Sequence, residues 1–234
     1  MGGVIEGFLA LPGNEGESES RDLSFDEKFK RSFGDIRLRD LSMDSDGKPS
    51  REQIRGASGK TVPDLILPNL KVLFSGINPS LYSAAVGHHF ARPGNRFWPA
   101  LHASGFTPRR FFASEGKALL DLGYGITNLV DRATAMAKEI STDEFVQGGR
   151  RLQDKIWRHH PRIVAFLGIT AYRDAFERPR ASIGKQPETL AGATIWVLPN
   201  PSGLNAHYRL TDLAQLYGKL QVESENRLHD PQSA

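Results

Sequence analysis

The sequence predicts an α/β fold in which a short, mainly parallel central sheet lies between two layers of helices, with a polar tail in front. Three observations carry that expectation. From about Val62 onward, apolar runs of strand length alternate with segments whose apolar residues recur at helical spacing, as in chains built around a parallel sheet. Two of those runs open directly into segments of one chemical type, Gly76-Ile77-Asn78-Pro79-Ser80 and Asn200-Pro201-Ser202-Gly203-Leu204. Residues 1–60, by contrast, are poor in apolar positions and rich in Gly, Ser, Asp and Arg.

In chain order, residues 1–60 read as a disordered tail, with stretches such as Gly13 to Ser20 and Ser42 to Gly47. Phe25, Phe29 and Phe33 recur at i, i+4 and i+8, which predicts a short amphipathic helix that docks on the body or a partner, or forms transiently without a target. Val72 to Ser75 is a short buried strand, followed by a long loop from Asn78 to Asn95. Asn95 to Ser104 and Thr107 to Leu122 read as helices, and Gly125-Ile126-Thr127 continues a further strand or forms a loop. Ser141-Thr142-Asp143-Glu144 is a capping box that starts a helix running to about His159, stopped before Pro161. Arg162 to Leu167 and Thr194 to Leu198 are two more strands, and Tyr208 to Gln221 is a C-terminal amphipathic helix. The expected organisation is a tail over 1–60, one domain over 61–222 and a frayed end over 223–234.

With 234 residues and 39% apolar content the chain can build one ordinary packed core. It contains no Cys, which excludes disulfides, thiolate metal sites and Cys nucleophiles. No apolar stretch reaches the length of a bilayer span and the start lacks a secretory pattern, so a soluble intracellular protein of the cytoplasm or nucleoid is expected, with no membrane partner. The net charge of +3 is uneven: residues 1–60 hold 10 Lys/Arg and 12 Asp/Glu, residues 61–234 hold 20 and 15. A basic body of this kind suits a polyanion.

In open α/β sheets ligands sit beyond the carboxyl ends of the strands, where both Asn-Pro segments fall. A Pro after Asn biases that Asn toward extended backbone, which aims its amide. The loop after the first strand carries Gly87-His88-His89-Phe90-Ala91-Arg92-Pro93-Gly94-Asn95-Arg96-Phe97-Trp98, mixing imidazoles, guanidiniums, glycines and aromatics in a manner suited to phosphates and to stacking on a planar ring. Taken singly, Phe97 and Trp98 read as core, Asn78 as a turn residue, and the adjacent His88 and His89 lack the partners of a metal site.

Taken together, Gly76-Ile77-Asn78-Pro79, Gly87 to Phe90, Pro93 to Trp98, Gly125-Ile126-Thr127-Asn128-Leu129-Val130-Asp131-Arg132 and Asn200 to Leu204 resemble, in order, the motifs of the mismatch-specific uracil/thymine-DNA glycosylase family. The likeness runs from about Val72 to Leu220. It implies a uracil-DNA glycosylase-like three-layer fold, double-stranded DNA with a G·U or G·T mismatch as partner, monomeric action, and no cofactor or metal. It implies that Asn78 positions the water that attacks the sugar C1′. An amide orients water but is no strong base, so the bond breaks largely by dissociation and the departing uracil anion must be stabilised. By the same likeness Ile77 and Phe90 supply backbone contacts in the pyrimidine pocket, with the Phe90 ring stacked on the extruded base. Asn128 reads the pyrimidine edge or caps its loop. Ser83 leaves room for a 5-substituent or contacts a phosphate.

The likeness gives the second segment a different role. Leu204 fills the hole left by the extruded base, Gly203 permits close approach, and the backbone of Asn200, Pro201 and Ser202 reads the opposite base. Leu204 otherwise reads as core at a loop end. No Lys falls in these motifs to form a Schiff base, so strand cleavage is not expected. The chain departs from the family pattern at Ser80, where Gly is usual, and at Asn205-Ala206, where the bacterial pattern has Ser-Arg; His207 or Arg209 would then supply the basic contact. Asp131 is the carboxylate nearest the motifs and offers an alternative acid; an ion pair with Arg132 or another neighbour is the commoner role for such a group. The rival functions are a uracil-DNA glycosylase of another branch that uses such a carboxylate, and a non-catalytic DNA-damage binding module.

Overall fold

A computed structural model describes residues 48–226 of the chain. The expected Phe25, Phe29 and Phe33 helix and the last eight residues lie outside the described residues. The described elements are α1 (Arg51–Arg55), β1 (Val72–Gly76), α2 (Leu81–Val86), α3 (Phe97–Ala103), α4 (Ala118–Asp121), β2 (Tyr124–Asn128), α5 (Thr142–His159), β3 (Ile163–Leu167), α6 (Ile169–Phe176), β4 (Gly184–Leu190), β5 (Ala193–Leu198) and α7 (Leu210–Asn226). The strands form one sheet in the order β2-β1-β3-β5-β4. The first four run parallel, and β4 pairs antiparallel with β5 at the edge.

Side-chain alternation along the strands builds the two faces. Val72 and Phe74 of β1, Ile163, Ala165 and Leu167 of β3, and Trp196 and Leu198 of β5 face α3 and α7. Leu73, Val164, Phe166, Ile195 and Val197 face α5 and α6. Because both faces are covered, the central strands read as unbroken apolar runs, which is why β1, β3 and β5 are legible in the sequence. Gly125-Ile126-Thr127 belongs to β2, which pairs with β1 from Val72 and Tyr124 to Gly76 and Asn128.

Several expectations are corrected. Thr107 to Leu122 is not one helix: it holds only a 3-10 turn at Ala113–Glu115 and the short α4. Its apolar residues Phe111, Ala113 and Leu119 are buried where an irregular chain passes under the sheet, and Gly116 sits where a Cβ would press on the Ala113 carbonyl and the Leu65 side chain. β4 has no apolar run to announce it. It is a half-exposed edge strand containing Pro187, joined to β5 through Ala191 and Gly192, both at positive φ as a tight hairpin requires. The helix α2 lies in the stretch expected to be a loop, and α6 in a stretch to which the pattern assigns no element.

At the two ends order extends beyond the compositional boundary. Ser50 and Gln53 form a capping box for α1, and Ala57 and Val62 pack on Ala84 and Ala133. Gly59 N–H donates to the Ala133 carbonyl and Ala133 N–H to the Lys60 carbonyl. At the other end α7 continues to Asn226, because the Glu225 carboxylate accepts from Lys71 Nζ and the Tyr124 hydroxyl. Among the described residues no helix is long and apolar enough to cross a membrane.

A close backbone approach joins α5 to the chain after β2: a Cβ at Gly148 would lie 2.3 Å from the Leu129 carbonyl oxygen. Gly148→Ala should therefore destabilise the fold by about 1–3 kcal/mol despite better helix propensity, read from the urea midpoint.

Candidate active site

The loops that follow β1, β2, β3 and β5 surround a cleft of about 540 Å³ at the carboxyl edge of the sheet. Its floor contains Ile77, Asn78, Phe90 and Asn128, and its two sides are the chain from Thr134 to Lys138 and the chain from Pro199 to Tyr208. These sides follow β2 and β5, which lie three strand spacings apart, about 14 Å.

Asn78 is held by the chain beyond β2. Its Nδ2 donates to the Arg132 carbonyl at 3.0 Å and to Thr134 Oγ1 at 2.8 Å. The carbonyl accepts only, and the Thr134 hydroxyl spends its own proton on the Met136 carbonyl. Both amide hydrogens of Asn78 thus have acceptors, and its Oδ1 is the group left to face a ligand. Arg132 is fixed in turn. Its Nε donates to Glu144 at 2.6 Å and its guanidinium also donates to the Glu139 carbonyl. The Arg132 hydrogen bond, with the Ser141 N–H, holds the Glu144 carboxyl down at about 2.

The opposite end of the floor is built on Phe90. This residue has φ +55, a left-handed conformation for a bulky side chain, and its ring stacks on Phe97 with centroids 4.1 Å apart. Ser80 caps α2 by accepting from Ser83 N–H, and its hydroxyl donates to Ser83 Oγ. Ser83 Oγ in turn accepts from Ala91 N–H at 3.1 Å. Ser80 is therefore a helix cap, and Ser83 ties the Phe90 loop to that helix. Trp98 Nε1 donates to the His89 carbonyl, so the start of α3 braces the same loop twice.

Asn128 ends β2 beside Gly76, where a Cβ would lie 2.5 Å from Asn128 Oδ1 and 3.1 Å from the Phe90 ring. A side chain at residue 76 would fill the space between ring and amide. Asn128 Nδ2 lies 3.4 Å from His89 Nδ1, and His89 Nε2 lies 2.9 Å from the Pro63 carbonyl. Burial pushes the His89 imidazole below its ordinary value, against the opposing pull of that carbonyl and of Asp64.

The far side of the cleft hangs on one guanidinium. Arg96 donates to the carbonyls of Pro201, Ser202, Asn205 and Tyr208, and its own N–H donates to Pro201 as well. Asn205 folds inward, with Nδ2 on the Asn200 carbonyl and Oδ1 accepting from His207 N–H. The carbonyls of Pro201 and Ser202 each accept two internal hydrogen bonds, Pro201 from the Arg96 side chain and main chain and Ser202 from Arg96 and the Asn205 N–H, whereas the Asn200 carbonyl accepts one and retains a lone pair for a ligand. A Cβ at Gly203 would meet the Gly94 carbonyl at 2.6 Å, so the close approach there is to this chain's own backbone. Leu204 stands at the tip, 69% exposed, and is not core.

Asp131 is not among the cleft-lining residues. It pairs with Lys155 at 3.4 Å and Arg151 at 3.7 Å, whereas Arg132 takes Glu144. Arg92, Lys138 and His207 line the cleft with positive or titratable groups, and Arg209 does not line it. Met136, half exposed on the β2 side, faces the cleft across from Leu204. Sequence patterns give Thr134 no site role, read Phe97 as core, and place Arg96 among groups suited to phosphates rather than to a loop's carbonyls. Thr134 acquires one by reaching Asn78, 56 residues away, and Arg96 by reaching the loop up to Tyr208, 112 residues away. Phe97 acquires its own by backing the Phe90 ring. The only local signal is that Arg96 and Phe97 sit inside the Pro93 to Trp98 motif.

Removing the Arg96 guanidinium takes the side-chain donor from four carbonyls, of which Pro201 and Ser202 keep a main-chain donor and Asn205 and Tyr208 do not. Arg96→Ala should cost about 2–4 kcal/mol in unfolding free energy and open residues 200–208 to limited proteolysis well before the rest of the body.

Residues 63–221 match the Uracil DNA glycosylase superfamily, more than half of the chain. Among solved structures, an NMR structure of a candidate uracil DNA glycosylase from Methanosarcina acetivorans is similar at 20% identity and a TM-score of 0.47, over 70% of this chain and 98% of that one. The chain belongs to the uracil DNA glycosylase superfamily, and with that membership it is a DNA glycosylase, a hydrolase of base excision repair that acts on DNA.

Proposed function

We propose that this chain is a monofunctional, mismatch-specific uracil-DNA glycosylase of the uracil/thymine type. Its catalytic domain spans residues 61–222 and acts as a monomer on duplex DNA carrying G·U, and secondarily G·T. The observation that carries this reading is the Asn78 amide, whose two hydrogens are engaged by Arg132 and Thr134 so that only its oxygen is directed at a ligand. An acceptor fixed in this way orients a water by one of its hydrogens and leaves a water lone pair for the sugar. Its protonation cannot change at ordinary pH, so it does not activate the water as a strong base does.

In this reaction the C1′–N1 bond breaks with its electron pair leaving on uracil, and an oxocarbenium-like sugar forms. The water oxygen then bonds to C1′ and gives up a proton to solvent, and the departed uracil anion takes up a proton, leaving an abasic site and free uracil. Uracil is extruded onto the Phe90 ring, which Phe97 backs, and its edge meets Asn128. The cost of unstacking is offset on the other side of the cleft, where Leu204 enters the duplex from a loop that Arg96 keeps rigid. The exposed Lys138, Arg92 and His207 suit the phosphates on either side. The pairing of Asp131 with Lys155 and Arg151 favours this mechanism over one in which that carboxylate is the base.

The first test is base release from uracil and thymine opposite G, opposite A and in single strands, read as alkali-labile sites. Release greatest from G·U supports the proposal, binding without release makes the chain a damage-binding module, and equal release from all contexts removes mismatch specificity. Asn78→Ala should lower single-turnover release by at least about 100-fold while mismatch binding is retained, since a positioned water is worth several kcal/mol. Leu204→Ala should weaken release from duplex about tenfold or more and leave single strands nearly untouched. Equal losses on both would argue against a wedge.

A further inference from the structure

We propose that His89 decides which way round the Asn128 amide faces, and thereby makes the pocket take bases that carry an N3–H donor, uracil and thymine, and reject cytosine. The inference rests on the glycosylase function proposed above. It starts from the Pro63 carbonyl. That oxygen can only accept, so the His89 nitrogen 2.9 Å away, Nε2, carries the proton. His89 is 4% exposed and held in its neutral form by burial, so Nδ1 presents a lone pair. A lone pair there selects the NH2 end of Asn128, whose Nδ2 lies 3.4 Å away. The Oδ1 end is then turned toward the space over Gly76 beside the Phe90 ring, where the base would stack.

An oxygen at that place accepts from the N3–H of uracil or thymine. It meets a second lone pair at N3 of cytosine, so two acceptors oppose each other and the base is rejected. When His89 takes up a proton, Nδ1 becomes a donor and attracts Oδ1 instead, the amide turns over, and the acceptor for N3–H is lost. His89 is thus a positioning residue, acting through Asn128.

The groups facing His89 are consistent with this tautomer. Asp64 follows Pro63 and is anchored by Lys155 Nζ at 2.7 Å and by the Thr127 hydroxyl at 2.8 Å, which holds the Pro63 carbonyl in place. Asp64 raises the affinity of His89 for a proton, while Lys155 and His88 lower it. Asp64 and Lys155 are paired with each other, so burial decides the outcome.

Two measurements test the proposal. The first is ring 15N NMR of His89 in the full-length wild-type protein, which does not depend on activity. An Nε2–H tautomer at pH 7.5, titrating below about 6.5, is expected; an Nδ1–H tautomer, or a protonated ring at pH 7.5, overturns the proposal. The second is single-turnover release of uracil and of cytosine, each opposite a tetrahydrofuran abasic analogue so that neither is paired. For the wild type, uracil release should hold steady above the His89 transition and fall as pH drops through it, with thermal melts confirming that the fold persists. His89→Gln offers an N–H to Pro63 and an oxygen to Asn128 without titrating. It should abolish the acidic limb, whereas His89→Leu should cut the preference for uracil over cytosine about tenfold at pH 7.5. An acidic limb unchanged in His89→Gln, or undiminished preference in His89→Leu, overturns the assignment while leaving the glycosylase itself standing. A wild type that releases no uracil at any pH, whether opposite the analogue or opposite G, overturns both.

Discussion

The pairing of β1 with β2 does not stop where the strands stop. Leu129 N–H donates to the Gly76 carbonyl and Val130 N–H to the Ile77 carbonyl, so the two chains leave the sheet side by side. That short extension sets the register of everything in the floor of the cleft. It puts Asn128 against Gly76, and it carries the β2 chain onward until the Arg132 carbonyl and the Thr134 hydroxyl reach Asn78. Main-chain hydrogen bonds therefore fix the distance between the residue proposed to aim water and the one proposed to read the base. Side-chain contacts then only have to choose orientations.

Each of those orientations is chosen by an acceptor or donor that has no alternative. The Arg132 carbonyl leaves Asn78 one way to face, and the Pro63 carbonyl leaves His89 one tautomer. Backbone groups are well suited to this because they do not titrate and cannot rotate away. Charged groups are kept for holding the supports: Arg132 with Glu144, Lys155 with Asp64, and Arg96 on the carbonyls of the far loop. The result is a neutral floor with pinned side chains and a basic, partly apolar rim. That division suits a substrate with a neutral heterocycle at one end and phosphates at the other.

The two sides of the cleft are stabilised differently. The Thr134 to Lys138 side is one short turn, stapled by the Glu139 carboxylate on Met136 N–H and by Arg132 on the Glu139 carbonyl. The Pro199 to Tyr208 side has little regular structure of its own and depends on Arg96, whose fork of donors satisfies carbonyls that a Lys could not reach together. After the proposed wedge this chain has Asn205-Ala206 where the family pattern has Ser-Arg: Asn205 turns inward to tie the loop, Ala206 carries no charge, and His207 stands at the rim. Leu204 is left exposed at the end of a stiff loop, the arrangement an inserting side chain requires because little entropy remains to be lost on binding.

The sequence alone determined the strands buried on both faces, because such strands must be continuous apolar runs, and the capped helix from Thr142, because its capping box is local. It also determined the order of the motifs, and with it the candidate residues Asn78, Phe90, Asn128 and Leu204. It did not determine β4, a polar edge strand whose pairing needs only backbone, nor the break in Thr107 to Leu122, where burial follows the shape of the core rather than a helical period. Nor did it determine the ends: residues from Ser50 and the last turn of α7 are ordered by contacts with distant chain. Above all, the tertiary structure decided orientation. Which end of an amide faces a cleft depends on a carbonyl or hydroxyl brought alongside from 54 or 56 residues away, or through a histidine 39 residues away. No local pattern encodes such a contact, because the partner is a backbone atom or a common side chain and only the fold brings it near.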